Sequence, residues 1–168
     1  MGTGDTVTRS SPVQIGSSSW TSVSARLYHT AAIRSDNLLF TWGYNVFGQL
    51  GDGTTVNKSS PVQIGTSSWT AISAGSAHTA AIRSGGVLFT WGLASSGQLG
   101  DGTTVNKSSP VQIGSSSWTA VAAGASMTVA VLSGGTLFAW GLNTSGKLGD
   151  GTTVNKSSPV QIGSSLWK

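Results

Sequence analysis

Apolar and polar residues alternate along this chain in short bursts, each closed by glycine, serine or a polar turn. Trp69-Thr70-Ala71-Ile72-Ser73-Ala74 alternates until Gly75, and a period of two predicts a strand. His78 to Arg83 forms a second run, followed by Ser84-Gly85-Gly86. That triplet predicts a tight hairpin, because glycine accepts positive φ without strain. Val87 to Trp91 is a third run, with Val87, Phe89 and Trp91 on one face and Leu88 and Thr90 on the other. A long polar loop extends from Gly92 to about Ser108. Pro110-Val111-Gln112-Ile113 then predicts a short fourth strand, whose leading proline fits an outer edge where no ladder donor is needed. No segment shows a helical period.

The whole pattern returns every 49 residues, marked by Trp20, Trp69, Trp118 and Trp167, by Trp42, Trp91 and Trp140, and by Pro12, Pro61, Pro110 and Pro159. One stretch of fifteen residues, from Gly-Asp-Gly through Pro-Val-Gln-Ile-Gly, stands unchanged at 51–65, 100–114 and 149–163. A fixed period of roughly 40–50 residues built of short apolar segments marks a propeller or solenoid, in which each unit buries its faces against its neighbours. Four antiparallel strands per unit make a propeller blade. The expected fold is therefore all-β, with three blades at 20–68, 69–117 and 118–168. A tail at 1–19 precedes them, and its Ser11-Pro12-Val13-Gln14-Ile15 is expected to be a surplus outer strand, since it duplicates 158–162. Small residues in Thr70–Gly75 and Thr119–Gly124 place those strands innermost, where sheets converge, and the third strands carry the bulky Phe and Trp.

Composition changes this picture little. Only 8% of the chain is charged, and it contains no Glu and no Cys, so disulfides and thiolate metal sites are excluded. The net charge of +4 comes from scattered lysines and arginines with no aromatic-interleaved cluster, so no nucleic-acid partner is expected. No apolar run is long enough to span a membrane, and no membrane insertion is expected. The N-terminal residues Met1-Gly2-Thr3-Gly4-Asp5 do not read as a signal peptide.

Three segments of the middle unit carry a family resemblance: His78-Thr79-Ala80-Ala81-Ile82, Leu88-Phe89-Thr90-Trp91-Gly92 and Gly97-Gln98-Leu99-Gly100-Asp101-Gly102. With their counterparts at Trp42–Gly51 and Trp140–Gly149, they resemble the repeat of the regulator of chromosome condensation family over about residues 11–167. The resemblance implies propellers, typically seven-bladed, of about 50 residues per blade. The founder of that family is a nucleotide-exchange factor for a small GTPase, which acts through special loops and an inserted hairpin. The units here are of equal length, so that activity is not carried over. The Gly-x-x-His segment is intact only at Gly75–His78; Arg26 replaces the glycine in the first unit and Met127 the histidine in the third.

Candidate chemistry is sparse. Asp52, Asp101 and Asp150 fall one per blade in Gly-Asp-Gly turns, where aspartate favours the turn by bonding nearby backbone; a blade apart, they cannot act as an acid–base pair. His29 and His78 are expected to hydrogen-bond their local turns, with no third ligand for a metal. No nucleophile with an adjacent base and no phosphate cradle stands out, so neither catalytic residues nor a cofactor is expected. The Asn-x-Ser matches at Asn57, Asn106, Asn155 and Asn143 read as chance. Among otherwise copied units, the loops after Trp42, Trp91 and Trp140 vary most. Tyr44, Asn45 and Phe47, Leu93, Ser95 and Ser96, and Leu142, Asn143 and Thr144 are accordingly the candidate binding residues.

These features point to a non-enzymatic structural or adhesive module of a secreted, cell-surface or virion-fibre protein, taking a protein or glycan ligand through its loops. An intracellular regulatory scaffold or exchange-factor-like propeller is the alternative. Three blades leave apolar faces to cover, which predicts a homo-oligomer or larger assembly; two copies would supply six blades, unless the chain belongs to a longer array.

Overall fold

A computed structural model describes residues 2–167. Twelve strands form three four-stranded antiparallel sheets, each running in chain order from its inner to its outer edge. Blade 1 contains β1 (Trp20–Ala25), β2 (His29–Arg34), β3 (Leu39–Gly43) and β4 (Lys58–Gln63). Blade 2 repeats it as β5 (Trp69–Ala74), β6 (His78–Arg83), β7 (Leu88–Gly92) and β8 (Lys107–Gln112). Blade 3 contains β9 (Trp118–Ala123), β10 (Met127–Leu132), β11 (Thr136–Gly141) and β12 (Lys156–Leu166). No helix occurs among the described residues, in agreement with the all-β reading.

The expected limits of the outer strands shift. The outer strands begin three residues earlier than the proline, at Lys58, Lys107 and Lys156, so Pro61, Pro110 and Pro159 lie inside them. The prolines are tolerated there because the outer strand pairs on one side only, β8 with β7 and β4 with β3. The expected surplus strand is corrected outright: Ser11–Ile15 forms no strand. Its twin at 158–162 lies in β12, paired with β11. The free edge of β3 is already taken by β4, so the copy at 11–15 has no ladder to join.

Each blade is nailed by three rings. The tryptophan opening the inner strand meets the phenylalanine of the third strand edge-on, and the tryptophan two residues beyond that phenylalanine lies beside the first tryptophan. Trp69 is 5.7 Å from Phe89 and 6.0 Å from Trp91; Trp118 is 5.6 Å from Phe138 and 6.0 Å from Trp140. Edge-to-face pairs of this kind add about 0.5–1.5 kcal/mol each beyond the area they bury. Two cores result, one from blades 1 and 2 and one from blades 2 and 3. Blade 2 is sandwiched, and every residue of β7 is buried. The inner strand of blade 1 faces no preceding blade and leaves Val23 69% exposed.

Candidate functional site

Neighbouring blades meet through a repeated set of hydrogen bonds. The Gln49 carbonyl of blade 1 accepts two donors from blade 2, the Thr79 hydroxyl at 2.8 Å and the Trp91 indole at 2.9 Å. The Gln98 carbonyl does the same for Thr128 and Trp140, at 2.8 and 3.0 Å. Ser24 and Ser73 hydroxyls accept the Ala74 and Ala123 amides across the same joints. Glycine is required where the turn crosses the tryptophan: a Cβ on Gly51 would stand 2.6 Å from Trp91 Nε1, and one on Gly100 would stand 2.5 Å from Trp140 Nε1.

The histidines belong to these joints and not, as expected from sequence, to their own turns. His29 Nε2 lies 2.7 Å from the Thr79 hydroxyl and His78 Nε2 lies 3.0 Å from that of Thr128. Each threonine has already given its single hydrogen to a glutamine carbonyl, so the histidine must be the donor, and a neutral ring carries its one proton at Nε2. Burial enforces that state, holding His29 at about 4 and His78 at about 3, the latter with smaller contributions from His29 and Arg26. Gly75 leaves the room this ring needs, since a Cβ there would fall within 2.4 Å of His78 Nδ1. No cluster of His, Cys, Asp and Glu that could hold a metal occurs among the described residues.

The long loops are held from within. Asp52 accepts the Thr54 amide and hydroxyl and pairs with Lys58 at 3.3 Å. Asp150 is bound in the same way to Thr152 and Lys156. Partial burial opposes ionisation of Asp150, but the Thr152, Asn143 and Lys156 donors outweigh it and bring its carboxyl down to about 2. Asn57, Asn106 and Asn155 are likewise structural: their carbonyls accept the amides of Asn45, Ala94 and Asn143 across the loop.

Two of the candidate binding residues are corrected by the same loops. Asn45 and Asn143 are fully buried. The Asn45 amide group donates to Asp52, Thr54 and Val56, while its carbonyl caps the Leu50 amide; Asn143 repeats these bonds in blade 3. They brace the loop and offer nothing to a ligand. Ser95 and Thr144 are exposed, while Leu93, Ser96 and Leu142 are half-buried on blades 2 and 3.

Tyr44 and Phe47 instead join a cluster on blade 1. The Tyr44 ring is 5.6 Å from Tyr28 and 6.2 Å from Phe47, and the Tyr44 amide donates to the Tyr28 carbonyl. Leu27, Tyr28 and Val46 are 66%, 56% and 50% exposed. Their counterparts are Ser76, Ala77 and Ser95 in blade 2, and Ala125, Ser126 and Thr144 in blade 3. Sequence reasoning missed Leu27 and Tyr28, although comparing units at the shorter β1–β2 loop would have exposed them.

Residues 36–82, 85–131 and 134–166 match the regulator of chromosome condensation (RCC1) repeat, and a second description of that repeat matches 20–49, 69–98 and 118–147. The chain belongs to the RCC1 repeat family. Solved RCC1-like structures share its fold at low identity. Human WBSCR16 superposes with a TM-score of 0.79 at 22% identity, over 89% of this chain and 41% of that one. Yeast RCC1 (Prp20), in a structure with Kap60, gives 0.77 at 22% identity over 86% and 37%. Prp20p from Saccharomyces cerevisiae, described with its binding properties to Gsp1p and histones, gives 0.75 at 24% over 86% and 38%. The chain thus spans about two fifths of the RCC1-like structures it matches. Among curated proteins none matches.

Proposed function

We propose that this RCC1-repeat chain is a non-enzymatic binding module that takes a protein partner on the aromatic patch of blade 1. The observation that carries this reading is the pooling of large apolar residues where the sister blades carry small or polar ones. Tyr28, Tyr44 and Phe47 come from two loops and stand ring beside ring, and their chain neighbours Leu27 and Val46 are exposed. Contiguous exposed apolar surface of this kind marks interaction sites, and Tyr is a favoured anchor because it buries much area at small entropic cost. The described binding of Prp20p to Gsp1p and histones favours a protein ligand over a glycan. A secreted, cell-surface or virion setting is in keeping with the low charge and the Ser- and Thr-rich loops.

Replacing the patch by blade 2's own residues tests this: Tyr28→Ala, Tyr44→Leu, Val46→Ser and Phe47→Ser together. The variant should keep its melting temperature within about 4 °C, the equivalent of roughly 1 kcal/mol. It should also lose capture of histones and of a small GTPase in pull-downs that the unmodified chain passes. Capture undiminished in the variant, or glycan-array binding in place of protein capture, would refute the assignment.

A further inference from the structure

A cleft of about 730 Å³ opens between blades 2 and 3. Its apolar wall is made by Val111, Ile113, Trp118, Leu132, Phe138 and Pro159. Across the joint between blades 1 and 2 the corresponding residues are Val62, Ile64, Trp69, Arg83, Phe89 and Pro110. The two walls differ at a single position, Leu132 against Arg83.

What the arginine does there is plain. Its guanidinium carbon lies 4.2 Å from the centre of the Phe89 ring and 5.1 Å from that of Trp69. Blade 1 repeats the arrangement with Arg34 at 4.7 Å from Phe40. A guanidinium suits this place because it is planar, weakly hydrated and attracted to the negative face of an aromatic ring. Leu132 stops short of that place and carries no charge. In blade 3 the T-shaped pair Trp118 and Phe138 therefore frames the same space with no cation of the described residues over either ring. At the rim Asp101 and Lys107 pair with one another at 3.5 Å, so they neither demand nor repel a charge as a unit.

We propose that this cleft is a receptor for an arginine side chain of a protein partner. The guanidinium lies over Phe138 against Trp118, as Arg83 lies over Phe89 against Trp69, and its aliphatic stem runs along Val111 and Ile113. The site is separate from the aromatic patch of blade 1, and its test does not depend on that patch.

The probe is the peptide acetyl-Gly-Arg-Gly-amide, titrated into the full 168-residue chain while aromatic resonances are followed by NMR. A lone cation–π contact worth about 2 kcal/mol in a partly open cleft corresponds to saturable binding at roughly 30 mM. Phe138 and Trp118 resonances should shift with the arginine peptide, at least about fivefold more weakly with its lysine version, and not with the neutral citrulline version. Leu132→Arg, which copies blade 2, should fold and abolish the response. Arg83→Leu should add Trp69 and Phe89 to the responding residues. Absence of a saturable shift in the unmodified chain, an equal shift with the citrulline peptide, or an undiminished shift in the Leu132→Arg protein would each overturn the proposal.

Discussion

Thr79 has one hydroxyl hydrogen and spends it on the Gln49 carbonyl, so His29 must donate from Nε2, and burial keeps its ring neutral. The consequence is a pH dependence of known sign. An unfolded histidine takes up its proton near 6.5, whereas folded His29 and His78 resist until about 4 and 3. Between those limits the unfolded chain binds more protons, so stability is full above pH 6.5 and falls with acidification, by about 1.4 kcal/mol per pH unit for each histidine. His78→Met, which copies Met127 of blade 3, leaves one of the two histidines and should halve the slope of denaturation free energy between pH 6.5 and 4.5. An unchanged slope would place its origin elsewhere. The sequence showed that the histidines recur at one position, but their partners sit 50 residues away, and a linear reading assigned them to the nearest turn. A second test uses glycine. Gly100→Ala meets Trp140 at 2.5 Å and also strains a φ of +78°, while Gly65→Ala has only a φ of +61° to bear. Chemical denaturation should show roughly 2–4 kcal/mol lost in the first and about 1 kcal/mol in the second.

The strands were legible because their pattern is local. Alternation, glycine-bounded hairpins and small inner residues mark β5, β6 and β7 to within one residue. Loop interiors were harder. Asn45 and Tyr44 are neighbours in a variable loop and look alike as candidates, yet one is buried under five hydrogen bonds and the other is on the surface. Variation between units does not separate a brace from a contact; only the fold of the loop does. The failure at Ser11–Ile15 is of another kind. The same five residues form a strand at 158–162 and none at 11–15, because strand formation depends on a neighbouring edge more than on intrinsic preference.

At the scale of the molecule, blades 1 to 3 are joined end to end by one repeated joint, and the segment before β1 rehearses it again. Gly2 lies against Trp42 as Gly51 lies against Trp91, and the Gly4 amide donates to the Ser59 carbonyl at 2.9 Å as Gly53 donates to Ser108 at 2.8 Å. A unit in such an array recognises its neighbour without reference to how many units there are. Inserting a second copy of residues 69–117 after Ser117 should therefore yield a folded chain. It should melt no lower than the parent, and its denaturant m-value should be greater by about a third; a molten or aggregated product would show that the joint alone does not suffice. The same regularity bears on inheritance. Where near-identical stretches of coding sequence lie in tandem, replication and recombination slip between them, and a slip of one whole period leaves every joint chemically intact. The reading frame survives it, since the period is a whole number of codons, and so does the fold, whereas an insertion of any other length would set a glycine turn against the wrong tryptophan. The joint thus acts as a proofreader of length, admitting change in the number of blades while rejecting change within one.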